Sequence, residues 1–228
     1  MRTILIVGGA RGIGRALVDA YVAAGDRVFV TARGPLAIDG AVVLDGVELT
    51  DDAACLALPG RLRALGVDRV DVVVVNAGIL TREHLPDLLG PDRAAAFAGL
   101  QTQWEVNALG PLRVATALLP MLGAGSRLGV VSSRRGSVGD NSSGGSYGYR
   151  MSKAAVNMAF VNLARDLAPR GIAVVVLHPG FVQTDLTGGR GDVTAAEAAA
   201  GLAARIDATT LENSGGGFMH ANGETLPW

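Results

Sequence analysis

The sequence predicts a doubly wound α/β fold, a three-layer sandwich with helices on both faces of a seven-stranded parallel sheet. Three features of the chain support this prediction. Short apolar runs rich in β-branched residues recur along it, helix-like segments separate most of them, and a glycine-rich turn follows the first run. The runs do not alternate with polar residues, which is typical of parallel strands that helices cover on both faces. Strands that alternate with helices in this way build a doubly wound sheet.

Each predicted element has its own pattern. Seven apolar runs are the predicted strands, and they lie at residues 4–7, 28–31, 41–44, 71–75, 128–132, 172–177 and, most weakly, 217–219. Five segments with Ala, Leu and Arg at helical spacing are the predicted helices, and they lie at residues 12–24, 53–65, 93–121, 149–168 and 195–206. Gly25, Gly66 and Gly171 follow three of these segments, where a glycine commonly ends a helix.

The size and composition of the chain favour one packed body. Apolar residues make up 49% of the 228 residues, and no linker or internal repeat divides them, so we expect a single domain over residues 1–228. The single Cys55 cannot form an internal disulfide, and the three histidines are too scattered to predict a metal site.

The charge pattern excludes two classes of partner. The formal net charge is -1, with acids and bases scattered along the chain, so we expect neither nucleic acid nor an anionic membrane surface as a partner. No apolar run approaches the roughly 20 residues that a membrane helix needs. We therefore expect a cytoplasmic protein.

A glycine-rich turn, GGARGIG at residues 8–14, lies between the first strand and the first helix. Gly9, Gly12 and Gly14 allow a tight turn and a close approach of the backbone to a pyrophosphate, which the free N–H groups and the dipole of the helix N-terminus favour. Together with Ile13 they are the predicted phosphate-binding residues. A plain helix-entry turn is the alternative, because the chain contains 32 glycines.

The end of the second strand indicates which dinucleotide is bound. NAD-binding proteins commonly place an acidic residue here to hold the ribose 2′-hydroxyl, but this chain has Ala32 followed by Arg33. Arg33 and Arg11 offer two guanidinium groups to a 2′-phosphate. We therefore expect NADP(H) in preference to NAD(H), and the alternative for each arginine is a solvated surface charge.

The only lysine of the chain, Lys153, stands four residues after Tyr149. In a helix over residues 149–168 these two side chains share one face, one turn apart. A nearby ammonium favours the phenolate form of a tyrosine, and a lysine can also rotate to bind a ribose hydroxyl. Tyr147 is the competing tyrosine, but its offset from Lys153 places it on another face of the helix or in the preceding loop.

Six motifs in order make the chain resemble a known family. They are GGARGIG at 8–14, NAG at 76–78, VN at 106–107, VVSS at 130–133, YGYRMSK at 147–153 and PGFVQT at 179–184. The chain is similar to the short-chain dehydrogenases/reductases from its first residues to its last few. Within that family it most resembles the small carbonyl reductases and the C-factor-like proteins. The resemblance implies a Rossmann-type domain with an NAD(P)-dependent activity.

The resemblance also implies a catalytic role for four residues. Tyr149 is the acid/base, and Lys153 lowers its pKa and binds the nicotinamide ribose. Asn107 holds a helix kink and a water of a proton relay. Ser133 hydrogen-bonds the substrate carbonyl, but its separation from Tyr149 is longer than is usual in the family, so Ser132 is the alternative.

Further cofactor contacts follow from the same resemblance. They are Asn76, Ala77 and Gly78 under the cofactor, Pro179, Gly180 and Thr184 at the nicotinamide carboxamide, and Leu49, beside Glu48, at the adenine. The segment after Thr184, which forms the substrate lid in this family, is short in this chain. A short lid predicts an open pocket with permissive specificity.

The expected function is reduction of an aldehyde or ketone with NADP(H), or the reverse oxidation of an alcohol, with Tyr149 as the acid/base. A homodimer or homotetramer is the expected assembly. One alternative is a dinucleotide-binding signalling or regulatory protein of the C-factor type with incidental turnover. A second is an NAD-dependent alcohol or sugar dehydrogenase, which Ala32 and Arg33 oppose.

Four other residues of interest are interpreted without a catalytic role. Arg134 and Arg135 follow the serine pair near the expected site entrance and could attract an anionic substrate, but a solvated pair is the preferred interpretation. His178 is expected to be a structural residue at a strand end. Trp104 is expected to face the core or a subunit contact.

Overall fold

A computed structural model describes all 228 residues of the chain. Its eight strands are β1 Thr3–Val7, β2 Arg27–Thr31, β3 Ala41–Leu44, β4 Val72–Val75, β5 Arg127–Val131, β6 Ala173–His178, β7 Phe218–His220 and β8 Thr225–Leu226. Its seven α-helices are α1 Gly12–Ala23, α2 Asp52–Ala64, α3 Leu85–Leu89, α4 Arg93–Trp104, α5 Gly110–Leu118, α6 Tyr147–Leu167 and α7 Ala195–Asp207. None of these helices has both the length and the apolar character needed to cross a membrane.

The strands form one sheet in the order β3-β2-β1-β4-β5-β6-β7-β8. The first seven are parallel, which confirms the predicted doubly wound fold, and β8 is an added antiparallel strand at the edge. The two residues of β8 are too few to give a sequence pattern, and Leu226 is held opposite Phe218 by the pairing with β7. The strand order reverses between β1 and β4: β2 and β3 lie on one side of this pair, and β5 to β8 lie on the other. A ligand crevice is expected at the carboxyl ends of strands where the order reverses.

Apolar side chains cover both faces of the sheet. Leu5 and Val7 of β1 belong to a core shared with α2, α5 and α6, whereas Ile4 and Ile6 belong to a second core shared with α1 and α7. Successive side chains of a strand point to opposite faces. A strand buried on both sides must therefore be apolar at every position, which explains why the runs do not alternate.

The helix predicted over residues 93–121 is divided in the structure. A π-helical turn at Glu105–Leu109 separates α4 from α5, and a 3₁₀ turn at Leu119–Met121 follows α5. Pro111 has no N–H to donate to the carbonyl four residues earlier, so the regular hydrogen-bond ladder is interrupted at Asn107. The short helix α3 was not predicted, because none of its residues is buried and no apolar period marks it.

Phe160 on α6 tests how strongly this helix is packed on the sheet. Its side chain is fully buried, whereas Met158 on the same helix is 62% exposed. We expect Phe160→Ala to lower the free energy of unfolding by about 3–5 kcal/mol through the cavity it leaves. Met158→Ala is the control and should change it by about 0.5 kcal/mol or less. Urea denaturation of both variants measures the difference, and equal effects would contradict this packing.

Candidate active site

A cleft of about 500 Å³ opens at the carboxyl ends of the strands. Most of the predicted site residues line it, and these are Arg11, Gly12, Ile13, Arg33, Leu49, Asn76, Ala77, Gly78, Tyr149, Lys153, Pro179 and Thr184. Other predicted residues are not part of its lining, and these are Gly9, Gly14, Asn107, Ser133 and Gly180. The structure thus brings residues that are far apart in the sequence to one cavity.

The glycine-rich turn forms one wall of the cleft. Gly12 has φ +55°, a left-handed conformation that other residues rarely adopt. Gly14 lies so close to the preceding strand end that a Cβ there would be 2.2 Å from the carbonyl oxygen of Gly8. The side chain of Asn76 donates to that same oxygen from Nδ2 at 3.1 Å. Asn76 therefore braces the turn.

The N-terminus of α1 is free to bind an anion. No side chain caps this helix, and no acidic residue lies in its first turn. The first N–H groups of a helix have no partner within it, and the helix dipole favours negative charge there. Gly12 and Ile13 also line the cleft. These residues fit the pyrophosphate of a dinucleotide.

The two arginines predicted to bind a 2′-phosphate have separate partners. Arg33 Nη1 lies 4.0 Å from Glu48 Oε2, whereas Arg11 Nη1 lies 3.0 Å from Asp185 Oδ2. Both arginine side chains are mostly exposed, at 75% and 72% respectively. Exposed ion pairs of this kind contribute about 0.2–1 kcal/mol each, so a bound phosphate could displace either carboxylate.

Tyr149 and Lys153 are buried together on one face of α6. They are 7% and 4% exposed, and Lys153 Nζ lies 5.8 Å from the centre of the Tyr149 ring. The ammonium donates to the backbone oxygen of Val131, at the end of β5, at 3.0 Å. Gly136 allows this approach of the helix, because a Cβ at that position would be 2.7 Å from the carbonyl carbon of Lys153.

Burial shifts the pKa values of both residues. It raises the pKa of Tyr149, while the neighbouring hydroxyl of Ser133 and the positive charge of Arg135 act in the opposite direction. It lowers the pKa of Lys153 to about 8. Near neutral pH the site therefore holds a protonated phenol and an ammonium group, the forms needed to donate a proton and to stabilise negative charge.

The two candidate serines have different surroundings. Ser132 is buried, and its hydroxyl donates to Asn157 Oδ1. Ser133 is half-buried, and its hydroxyl is the one that acts on the Tyr149 phenol. Ser133 Oγ also accepts a bond from Arg135 N at 3.2 Å, which leaves its own proton available. Ser132 lines the cleft and Ser133 does not. The preference for Ser133 therefore rests on its available proton and on its effect on the Tyr149 phenol.

Asn107 lies in the π-helical turn and joins two segments of the site. Its side chain accepts from Ile79 N and donates to Ile79 O, both at 2.8 Å, and it also donates to Ser152 Oγ at 3.1 Å. A Cβ at Gly78 would be 3.3 Å from Asn107 Oδ1 and 3.5 Å from Lys153 Nζ. Asn107 and Lys153 therefore meet at the backbone that follows β4.

One residue that orders the site was not predicted. Glu83 is buried, and its carboxylate accepts from Gln103 Nε2 at 2.7 Å, from Gly148 N at 3.2 Å and from the hydroxyl of Thr81. Gly148 directly precedes Tyr149, so Glu83 fixes the start of α6. An isolated glutamate in a loop gives no sequence signal for this role.

The arginine pair after the serines is divided in the structure. Arg134 Nε lies 2.8 Å from Asp140 Oδ2, and its Nη2 lies 3.4 Å from Glu224 Oε1. Ser137 Oγ donates to the backbone oxygen of Trp228 at 2.9 Å in the same region. Arg134 therefore fastens the loop after β5 to the last strands, and it is not the purely solvated residue that was expected.

The remaining candidates lie away from the cleft. Burial, with the charges of His220 and Arg134, lowers the pKa of His178 to about 3, so this ring stays neutral. Its Nδ1 has no hydrogen-bond partner, and its ring meets His220 edge-on at 4.9 Å. Trp104 is 41% exposed beside Phe97 and Met151, so it does not face the core. A subunit contact at Trp104 stays a prediction.

A dinucleotide-sized cleft with a glycine-rich wall and a buried Tyr–Lys pair defines the class of nicotinamide-dependent oxidoreductases. Residues 2–193 match the family model described as short chain dehydrogenase. The chain belongs to the short-chain dehydrogenase/reductase family and is an NAD(P)-dependent oxidoreductase.

Three known proteins illustrate the similarity. The 1-hydroxy-2-glutathionyl-2-methyl-3-butene dehydrogenase of Rhodococcus sp. (strain AD45) is 39% identical, and the match covers 100% of both chains. C-signal of Myxococcus xanthus is 43% identical over 70% of this chain and 93% of its own. The NADPH-bound carbonyl reductase from chicken fatty liver superposes with a TM-score of 0.84 at 27% identity, over 100% of this chain and 99% of its own.

The pH dependence of stability tests the burial of the Lys153 ammonium. Because burial lowers the pKa of Lys153 from 10.5 to about 8, the folded state binds this proton less tightly than the unfolded chain does. The charged lysine therefore destabilises the folded protein below about pH 8, and this loss disappears as the pH rises from about 8 to 10.5. We expect the wild type to gain stability relative to Lys153→Met over that window, by up to about 3 kcal/mol.

Chemical denaturation of both proteins at neutral pH and at about pH 10.5 measures this gain. Both proteins also carry Tyr149→Phe, because the phenol lies beside Lys153 and its own titration would differ between them. The other titrating groups are shared, so their contributions cancel in the difference. A difference in stability that does not change with pH would show that Lys153 is not a buried ammonium group.

Proposed function

We propose that the chain, as a single catalytic domain over residues 1–228, interconverts a carbonyl compound and an alcohol with NADP(H), and that it acts on small aldehydes or ketones. One observation carries this proposal. The phenol of Tyr149 and the ammonium of Lys153 are buried side by side in the cleft, with the hydroxyl of Ser133 next to the phenol.

In the proposed reduction, the side chains of the site manage the proton and the negative charge. When bound, the nicotinamide supplies the hydride to the carbonyl carbon. Tyr149 donates its phenolic proton to the carbonyl oxygen, and Ser133 donates a hydrogen bond to that same oxygen. Lys153 stabilises the phenolate that remains on Tyr149. In the reverse direction, Tyr149 takes the proton from the alcohol.

The residues around the glycine-rich turn would hold the dinucleotide. The uncapped N-terminus of α1 offers its N–H groups to the pyrophosphate, and Lys153 is within the cleft to bind the nicotinamide ribose. Thr184 approaches the turn from the opposite side, because a Cβ at Gly12 would be 3.4 Å from Thr184 Cγ2. Its position across from the turn supports Thr184 as a contact of the cofactor.

The preference for NADP(H) rests on the end of β2. Ala32 lines the cleft where an acidic residue would hold the ribose of NAD, and the weak pair between Arg33 and Glu48 leaves the guanidinium available. The chicken carbonyl reductase, which shares the fold over its full length, is described as bound to NADPH. Both observations support a 2′-phosphate next to Arg33.

The names of the relatives support the reaction class. The Rhodococcus relative is named as a dehydrogenase of a hydroxy compound, and the chicken protein as a carbonyl reductase. These names describe the two directions of one reaction, the transfer of a hydride between an alcohol carbon and a nicotinamide. The regulatory alternative is not favoured, because a protein that only binds a dinucleotide has no need of a buried Tyr149 and Lys153 beside Ser133.

Tyr149→Phe tests the proposed proton transfer. We expect kcat for aldehyde reduction with NADPH to fall by about 10²-fold to 10⁴-fold, because the phenyl ring cannot donate a proton. The dissociation constant of NADPH should stay unchanged. Tyr147→Phe, two residues earlier on the same helix, is the matched control and should keep full activity. Activity that survives in Tyr149→Phe would overturn the proposed mechanism.

Arg33→Ala tests the cofactor preference. We expect binding of NADPH to weaken by about 10-fold to 100-fold, the effect of losing one hydrogen bond to a charged group, while binding of NADH stays the same. Titration of NADPH and NADH fluorescence measures both constants. Arg63→Ala, on the exposed face of α2, is the control. Equal effects on the two cofactors would remove the argument for a 2′-phosphate at Arg33.

A further inference from the structure

Two arginine side chains without a carboxylate partner flank the candidate catalytic residues. Arg135 lies in the turn after β5, two residues after Ser133, and Arg150 lies in the first turn of α6, directly after Tyr149. Arg135 Nη1 donates to Ser146 Oγ at 2.9 Å. Arg150 donates from Nε to Gly145 O at 3.1 Å and from Nη2 to Ser143 Oγ at 2.9 Å. All of these acceptors are neutral, so hydrogen bonds fix both guanidinium groups while their charges remain uncompensated.

The two guanidinium groups bind adjacent residues of one loop, because Arg135 donates to Ser146 and Arg150 donates to Gly145. Burial and the charge of Arg135 both lower the pKa of Arg150. The charge of Arg135 also opposes the rise in the pKa of the Tyr149 phenol. The acceptor Ser146 is buried and is the only non-glycine residue with a positive φ, at 48°. A strained backbone of this kind is held in place by its surroundings and clusters at functional sites.

The carboxylates of the surrounding segments have other partners. Asp140 and Glu224 both pair with Arg134. The carboxylate of Glu83 is buried against neutral donors, among them Gly148 N. No carboxylate of the chain lies within 4.0 Å of either guanidinium group at this position. The local charge is therefore positive beside the segments that carry Ser133 and Tyr149, outside the lining of the cleft itself.

We infer that Arg135 and Arg150 bind a carboxylate group of the substrate, so that the substrate is an aldehyde, ketone or alcohol that also carries a carboxylate. This inference rests on the proposed function and names its substrate class. A guanidinium group presents two parallel N–H donors that match the two oxygens of a carboxylate. A carboxylate placed between the two arginines would also relieve their mutual repulsion. Arg135 would thus bind substrate, whereas Arg134 pairs with Asp140 and Glu224 and stabilises the loop.

A matched pair of substrates tests the inference. 4-Formylbenzoate and its methyl ester share one aldehyde but differ in one negative charge. We expect the wild type to have the higher kcat/KM for 4-formylbenzoate. In Arg135→Gln and in Arg150→Gln, the ratio of kcat/KM between the acid and the ester should fall by about 10-fold or more, mainly through KM. The ratio cancels any effect that Arg135 has on Tyr149. Arg63→Gln, on the exposed face of α2, should leave the ratio unchanged.

A binding measurement keeps this inference separate from the proposed function. Turnover of the methyl ester by the wild type tests the reductase activity alone. Calorimetric titration with terephthalate, in the presence of NADP⁺, tests the carboxylate site without turnover, and we expect affinity to fall about 10-fold in each arginine variant. An unchanged acid-to-ester ratio, or terephthalate binding that is absent or equal in all proteins, would overturn the carboxylate site even if the ester is reduced.

Discussion

The buried ammonium group of Lys153 is the constraint on which the rest of the site depends. A charge that is 4% exposed needs a fixed acceptor, and Val131 O supplies it at the end of β5. That bond ties α6 to the sheet at the edge where the cleft opens. Gly136 must then lack a side chain, because the turn after β5 packs directly on the backbone of Lys153. The buried ammonium group thus links α6 to the end of β5, and the turn after β5 packs on the same residue.

α6 connects the site to the apolar core. Val156 and Phe160 bury its middle against the sheet, and Tyr149 and Lys153 lie in its first two turns. Glu83 holds its start through Gly148 N. The position of the phenol is therefore set at both ends of the segment, by apolar packing on one side and by a buried carboxylate on the other. Such support gives a catalytic group a fixed geometry.

The fold was predictable because a strand buried on both faces leaves a continuous apolar run, and every strand longer than two residues had such a run. The predicted Tyr149 and Lys153 also meet as their four-residue spacing requires. The partners of buried polar groups could not be predicted, since Glu83 takes its donors from α4 and α6, far away in the sequence. The choice between Ser132 and Ser133 was open for the same reason. These two serines are adjacent in the sequence, but in the structure Ser132 binds Asn157 and Ser133 binds the backbone of Arg135.

The ion pair between Arg134 and Glu224 affects the design of chimeras between members of the family. The loop that carries Arg135 is fastened to the chain's last strands through Glu224 and through the backbone oxygen of Trp228. The substrate side of the cleft is thus a composite of two segments that are distant in sequence. A chimera that receives residues 134–146 alone keeps the pair between Arg134 and Asp140 but loses the pair with Glu224. A chimera designed to acquire the substrate specificity of this protein should therefore receive residues 218–228 together with residues 134–146.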